Sequence, residues 1–241
     1  MTHMRSAAVH FSDHIQRNPY PGRGLVVGQA EDGSFLLVYW IMGRSDHSRN
    51  RRFTAHGTTL RTEPVDPGRV EDPSLIIYEA MLELPAVQLV GNGDQVRTLY
   101  NFVNQGDSVE QALGTREREP DAPNYTPRIS GMLDFRGERP ELLLSVLKAS
   151  VFDPRQTDRF TYRPALPPPG YGLGLTTYMK DGDPLPSFTG DPLVLPCAGR
   201  AADVRDRYFE ALDANNRVAV AVKHVSPNGQ CEALLVRNRY P

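Results

Sequence analysis

Residues 24–42 read GLVVGQAEDGSFLLVYWIM. Two apolar runs, GLVVGQA (24–30) and FLLVYWIM (35–42), flank a short polar turn. Runs of this length, rich in Val, Leu, Tyr and Trp and broken by Asp32-Gly33, are the pattern of a β-hairpin. The second run carries no charged side chain and reads as a buried strand. Working outward, TTLRTEPV (58–65) alternates and stops at a proline, and PSLIIYEAML (73–82) fits either a strand or a helix. AVQLVGNGDQVRTL (86–99) reads as two short runs joined at Asn92-Gly93, a second hairpin.

DSVEQALG (107–114) offers Asp107 or Ser108 as an N-cap and Gly114 as a stop, and so predicts a short helix. ELLLSVLKAS (141–150) predicts a strand, although its length also permits a helix. A proline-rich loop leads into GLGLTTYM (172–179), another strand. GRAADVRDRYFEALD (199–213) has apolar residues at helical spacing. RVAVAVKHVS (217–226) and CEALLVRNR (231–239) predict a closing hairpin around Asn228-Gly229. Many strands and few helices, without a repeat or a flexible linker, predict one α+β domain over residues 1–241.

Composition narrows the function. The chain has 241 residues, a formal net charge of −2, 21 prolines and 20 glycines. Its length is ample for a core, and its charge does not suit non-specific nucleic-acid binding. No apolar run reaches the ~20 residues needed to cross a bilayer, and the first eighteen residues lack the apolar core of a secretory signal. Cys197 and Cys231 are too few for a disulfide framework, although one bridge is left open. These features predict a reducing, cytoplasmic location, where the Asn124-Tyr125-Thr126 glycosylation triplet is incidental.

Against that neutral background, GRSDHSRNRRF (43–53) places Arg44, Arg49, Arg51 and Arg52 at the end of a strand. Guanidinium forks bind phosphate oxygens bidentately, so the loop suits a small anion. The competing reading is a solvated loop paired with acids such as Asp46. REREPDAPNYTPRI (116–129) puts Glu117, Glu119 and Asp121 on alternate residues. In an extended chain these share one side, where a carboxylate can shuttle protons; the alternative is an exposed charged turn. Tyr78 lies among apolar residues, as a core tyrosine does. His10 and His14 share a helical face with no further metal ligand in view, His47 within the arginine loop is ambiguous, and His224 is structural. GYGLGL (170–175) lacks the third glycine and the following helix of a dinucleotide fingerprint.

Several segments, in order, resemble the archaeal-type IMP cyclohydrolase family. NPYPGRGLVVGQAEDGSFLLVYWIMGRSDHSRNRRF (18–53) resembles its Gly-Arg strand, hairpin and arginine loop. DPSLIIYEA (72–80) resembles its Asn-Pro segment with a tyrosine, and LVGNGDQVRTL (89–99) its Ser-Asn-Gly turn. EREPDAPNYTPRI (117–129) resembles its acidic run ending in Asn-Thr-Pro-Arg-Ile, and LTTYM (175–179) its Ser-Thr-Tyr segment. The chain departs from the pattern in its extra loop arginines, in Pro120, in DPS at 72–74, in an N-terminal extension (1–18) and in a longer proline-rich middle.

The resemblance implies an Ntn-hydrolase-like four-layer sandwich, with two mainly antiparallel sheets between helix layers and no N-terminal nucleophile. It also implies closure of 5-formamido-imidazole-4-carboxamide ribotide to IMP with loss of water, in a homo-oligomer that binds AICAR-type ribotides. That chemistry needs neither metal nor cofactor, only proton transfer and charge stabilisation. Carried over residue by residue, Arg49, Tyr78 and Glu119 are the expected catalytic set. Arg23, Arg44, Arg51, Asn92, Asp121, Asn124, Thr126 and Arg128 are the expected substrate contacts. A ribotide-binding protein without catalysis, an amidohydrolase acting on another ribotide, and an interaction domain meeting an acidic protein surface are the competing functions.

Overall fold

The hairpin at Asp32-Gly33 is the centre of the first sheet. In the computed structural model, which describes residues 2–70 and 76–240, β1 (Gly24–Gln29) and β2 (Phe35–Met42) pair antiparallel, Val26 opposite Val38. All eight residues of β2 are buried, and the reason is visible on its two faces. The Tyr39 hydroxyl reaches the Tyr78 hydroxyl at 2.7 Å, on the second sheet's side. Trp40 points the other way and stacks on Tyr208 at 5.8 Å. A strand covered on both sides is built mainly of apolar side chains, and its one hydroxyl, on Tyr39, is paired.

Around this pair, β10 (Tyr171–Thr176) and β11 (Leu193–Pro196) extend one edge, and β12 (Arg217–Val225) and β13 (Cys231–Asn238) the other, in the order β11-β10-β1-β2-β12-β13. The second sheet runs β3 (Arg52–His56), β4 (Thr59–Glu63), β5 (Glu79–Leu84), β6 (Val87–Gly91), β7 (Arg128–Asp134), β8 (Glu141–Ala149) and β9 (Thr157–Tyr162) in chain order. Every strand pairing among the described residues is antiparallel.

Helices cover the outer faces. α5 (Ala201–Ala211) lays Val204, Tyr208 and Phe209 on the first sheet. α3 (Gln95–Gln105) and α4 (Val109–Gly114) bury Val96, Leu99, Val103, Ala112 and Leu113 against Leu82, Leu89 and Met132 of the second. Two antiparallel sheets with helices outside them are the expected α+β sandwich. Residues 2–18 are part of it: α1 (Thr2–His10) continues as a π-helical turn over Phe11–Gln16, with Phe11 and Ile15 buried.

Several expectations are corrected. Asn92-Gly93 is not a hairpin turn but the corner between β6 and α3. The Asn92 side chain accepts from the Ile129 N–H at 2.8 Å and the Gln95 amide at 3.0 Å and donates to the Pro127 carbonyl at 2.8 Å. It thereby closes backbone groups that a hairpin partner would otherwise satisfy. A Cβ at Gly93 would meet Arg128 Nη1 at 2.6 Å, so the glycine answers to crowding rather than to turn type. The hairpin in this region is β5–β6, turning at Ala86, whose φ is +58°.

Ser108 is the cap of α4, in a reciprocal pair with Gln111. Gly114 ends that helix without a left-handed residue, whereas Gly106, with φ +90°, closes α3. Segment 73–82 is extended where β5 begins at Glu79, and its first three residues lie outside those described. β3, β9 and β11 lie outside the strands that the sequence predicts. Cys197 and Cys231 are both free. No helix among the described residues is long and apolar enough to cross a membrane.

Candidate active site

A cleft of about 420 Å³ opens where the ends of the two sheets meet. Its base is Arg23, the residue before β1, whose side chain leaves the first sheet and enters the second. Arg23 Nη1 donates to the Asn92 carbonyl and to Glu119 Oε1, each at 2.9 Å, and Nη2 donates to Glu119 Oε2 at 2.8 Å. Both residues are buried, Arg23 at 8% and Glu119 at 3% exposure. A buried carboxylate needs a partner that offsets its lost hydration, and a planar fork supplies two parallel bonds. Burial acts to lower the Arg23 pKa, but the Glu119 charge and hydrogen bonds, with the Tyr78 and Tyr39 phenols, hold it well above the ordinary value.

One wall is aromatic. Tyr20 stacks on Tyr178 with centroids 6.0 Å apart. The Tyr178 hydroxyl lies 2.6 Å from Thr126 Oγ1, which in turn meets Asp121 Oδ2. Asp121 Oδ1 also accepts from the Thr126 N–H at 2.6 Å. Burial pushes the Tyr178 phenol far above its usual range, against the pull of Arg23 and of the Thr126 bond, so it stays a neutral O–H donor near pH 7. Gly22 lets this wall close: its φ is +73°, and a Cβ there would meet Thr177 Oγ1 at 2.1 Å and the Tyr178 ring at 2.5 Å.

The other wall is the arginine loop. α2 (Asp46–Arg49) is capped by Ser45, which exchanges bonds with Ser48. Arg51 is buried, and its Nε and Nη2 donate to the Ser48 carbonyl at 2.8 Å and the Met42 carbonyl at 3.0 Å, which fixes the plane of its guanidinium. Arg44 spans the rim, 5.1 Å from the Tyr20 ring centroid and 2.7 Å from Asp181. Asn124, Ile76 and Leu185 complete the lining.

Of the residues expected at the site, Arg23, Arg44, Arg51, Glu119, Asp121, Asn124 and Thr126 meet at this cleft. Four do not. Arg49 turns to the far side of α2, where it lines a separate depression with Asp66 and Arg69. Tyr78 lies beneath the floor, paired with Tyr39. Asn92 is wholly buried and offers only its carbonyl to Arg23. Arg128 faces away from the cleft and donates to Asp94 at 2.6 Å and Gln95 at 3.0 Å.

The alternation of acids also fails. The 117–121 segment is irregular, and Glu117 is on the surface paired with Arg159 at 2.8 Å. Tyr20, Tyr178, Ser45 and Ser48 were not foreseen. Tyr178 stood within the LTTYM resemblance and Tyr20 within NPYPGRG, but a single chain gives no pattern that separates them from core tyrosines. Among the described residues, no group of three His, Cys, Asp or Glu side chains is placed to hold a metal.

An antiparallel sandwich thus carries a buried Arg–carboxylate clamp, a phenol and two further guanidinium groups around one cleft. The family model described as IMP cyclohydrolase-like protein matches residues 20–229, and the chain belongs to that family. It is also 28% identical over 214 residues to the IMP cyclohydrolase of Methanothrix thermoacetophila, a match spanning 82% of this chain and all of the relative.

Proposed function

We propose that the protein closes the ring of 5-formamido-imidazole-4-carboxamide ribotide to IMP, a step of purine biosynthesis. The observation that carries the reading is the Arg23–Glu119 clamp facing Arg51 and Tyr178 across one cleft of ribotide size. In the reaction the carboxamide nitrogen attacks the formyl carbon. The carboxamide nitrogen gives up one proton as the C–N bond forms and the formyl oxygen gains charge. That oxygen takes up this proton and a second one from the formamido N–H, and it leaves as water as the C–O bond breaks and the ring C=N bond forms.

Glu119 is the group that takes the N–H proton, and Arg23 fixes its two oxygens. Arg51 donates to the formyl oxygen as its charge develops, joined by the Tyr178 hydroxyl as its hydrogen turns from Thr126 Oγ1. Arg44 offers a cationic group, Ser45 and Ser48 hydroxyls and His47 a ring N–H to a 5′-phosphate. Tyr20 and Ile76 supply flat apolar surface for the heterocycle. Arg49, placed away from this cleft, has no part in the bond changes.

The test is to incubate the purified protein with the formylated ribotide and follow IMP by absorbance. A rate at the spontaneous background sinks the enzyme reading. Melting with IMP at a hundred times its Kd separates the remaining alternatives, since a bound ligand stabilises by about 2.7 kcal/mol at that ratio. A shift without turnover means a ribotide-binding protein without catalysis or an amidohydrolase acting on another ribotide, and turnover of other ribotides tells these two apart. No shift leaves an interaction domain.

A further inference from the structure

Asn216, in the turn between α5 and β12, touches both walls of the cleft from behind. Its backbone carbonyl accepts from the Gly43 N–H at 2.8 Å, where the arginine loop begins. Its Oδ1 accepts from Arg49 Nη2 at 3.2 Å, and Arg49 Nε donates back to the Gly43 carbonyl at 3.0 Å. These bonds form a closed ring behind the loop that carries Arg44, Ser45, Ser48 and Arg51. The Asn216 Nδ2 turns the opposite way and donates to the Pro19 carbonyl at 3.0 Å. Pro19 leads directly into Tyr20, Gly22 and Arg23, the aromatic wall and base of the cleft. Asn216 is itself pinned by Asp213, whose Oδ1 accepts its N–H at 3.0 Å.

We infer that Asn216 is a positioning residue that acts through Arg49 and Pro19 to set the separation of the two cleft walls. The amide suits the task, because one end must accept from a cation and the other must donate to a carbonyl. Neither aspartate nor leucine can do both. Arg49 has the complementary place. Its fork serves Gly43 and Asn216 together, which a lysine's single ammonium does not reproduce. Both segments are far along the chain from Asn216, whose side chain is a direct tie to each of them.

The kinetic half of the test rests on the ribotide reading, and the exchange half does not. Amide hydrogen exchange over residues 19–23 and 43–51 is measured on the full chain for the wild type, Asn216→Ala, Asn216→Asp and Arg49→Lys, with KM and kcat on the formylated ribotide. Asn216→Ala is expected to speed exchange in both segments. It should raise KM about tenfold, the equivalent of one or two hydrogen bonds, and leave kcat within about twofold, since no reacting group is removed. Asn216→Asp is expected to loosen 19–23 only, because its carboxylate still accepts from Arg49. Unchanged exchange in both segments of Asn216→Ala overturns the assignment, whatever the activity. So does an Arg49→Lys variant that loses kcat at unchanged KM and exchange, because that result puts Arg49 at the reacting atoms. A wild type without turnover sinks the ribotide reading alone and leaves the exchange result to decide.

Discussion

Arg23 and Glu119 come from different sheets' loops, 96 residues apart, yet they meet through two near-parallel hydrogen bonds of 2.9 and 2.8 Å with almost no solvent contact. Everything that defines the cleft is arranged around that pair.

Removing one member leaves the other as an uncompensated buried charge. Glu119→Gln is expected to lower the unfolding free energy by about 3 kcal/mol and to abolish IMP formation. The double variant Arg23→Met/Glu119→Leu is expected to regain most of the stability and none of the activity. Urea titrations beside the absorbance assay check this; a double variant no more stable than Glu119→Gln refutes it.

The two tyrosines on either side of the cleft floor are expected to separate by readout. Tyr178→Phe removes the donor on the cleft wall and should cost about a hundredfold in kcat, the scale of losing one preorganised donor. Tyr78→Phe removes the partner of the Tyr39 hydroxyl and should cost about 1–2 kcal/mol of stability, as for a buried hydroxyl left unpaired. Steady-state kinetics and thermal melts on both variants decide, and a Tyr178→Phe enzyme at wild-type kcat rejects the donor role.

Asp94 gives the acid limb of stability. Burial acts to raise its pKa, but hydrogen bonds and charge from Arg116 and Arg128 outweigh that and hold it below the ordinary 3.8. A depressed folded value means the unfolded chain binds the proton more tightly. The contribution is therefore complete above pH 3.8 and is lost as pH falls through the lower folded value. Asp94→Asn is expected to flatten this part of the wild-type decline. Denaturant midpoints measured from pH 6 downward show the difference between the two curves, and parallel curves count against it.

Gly22 is the hinge of the aromatic wall. Gly22→Ala is expected to cost about 1–2 kcal/mol from its left-handed backbone alone, and more from the clash with Thr177 and Tyr178. Weaker IMP binding should accompany the lower melting point. An alanine variant with wild-type affinity shows that the ring finds its place without the glycine.

Much of this was legible from the chain. Strands at 24–42, 141–150 and 217–239 announced themselves because they are long and apolar or turn on Asp-Gly and Asn-Gly, and 199–213 because its apolar residues repeat at helical spacing. The elements that were missed have other signals. β9 is largely exposed and polar, and β11 is four residues long with prolines nearby, so neither shows a run. Asn92-Gly93 misled because its local chemistry is that of a hairpin turn, while the periodicity that decides otherwise, Val96, Leu99 and Val103, lies beyond it. At the site, residue type was readable and direction was not. Arg49 and Arg51 differ by two positions and look alike in sequence, but α2 ends between them and they line different hollows.

Arg23 also works as a rivet. It is rooted at the first strand of one sheet and clamped to the carboxylate and carbonyl of the other. The proposed catalytic clamp therefore reports on the registry of the two layers. Any condition that lets the sheets slide, even with every strand still paired, pulls the clamp open first. Turnover should consequently vanish at a lower denaturant concentration than the far-ultraviolet signal of the strands, which makes activity a gauge of layer docking and not only of chemistry.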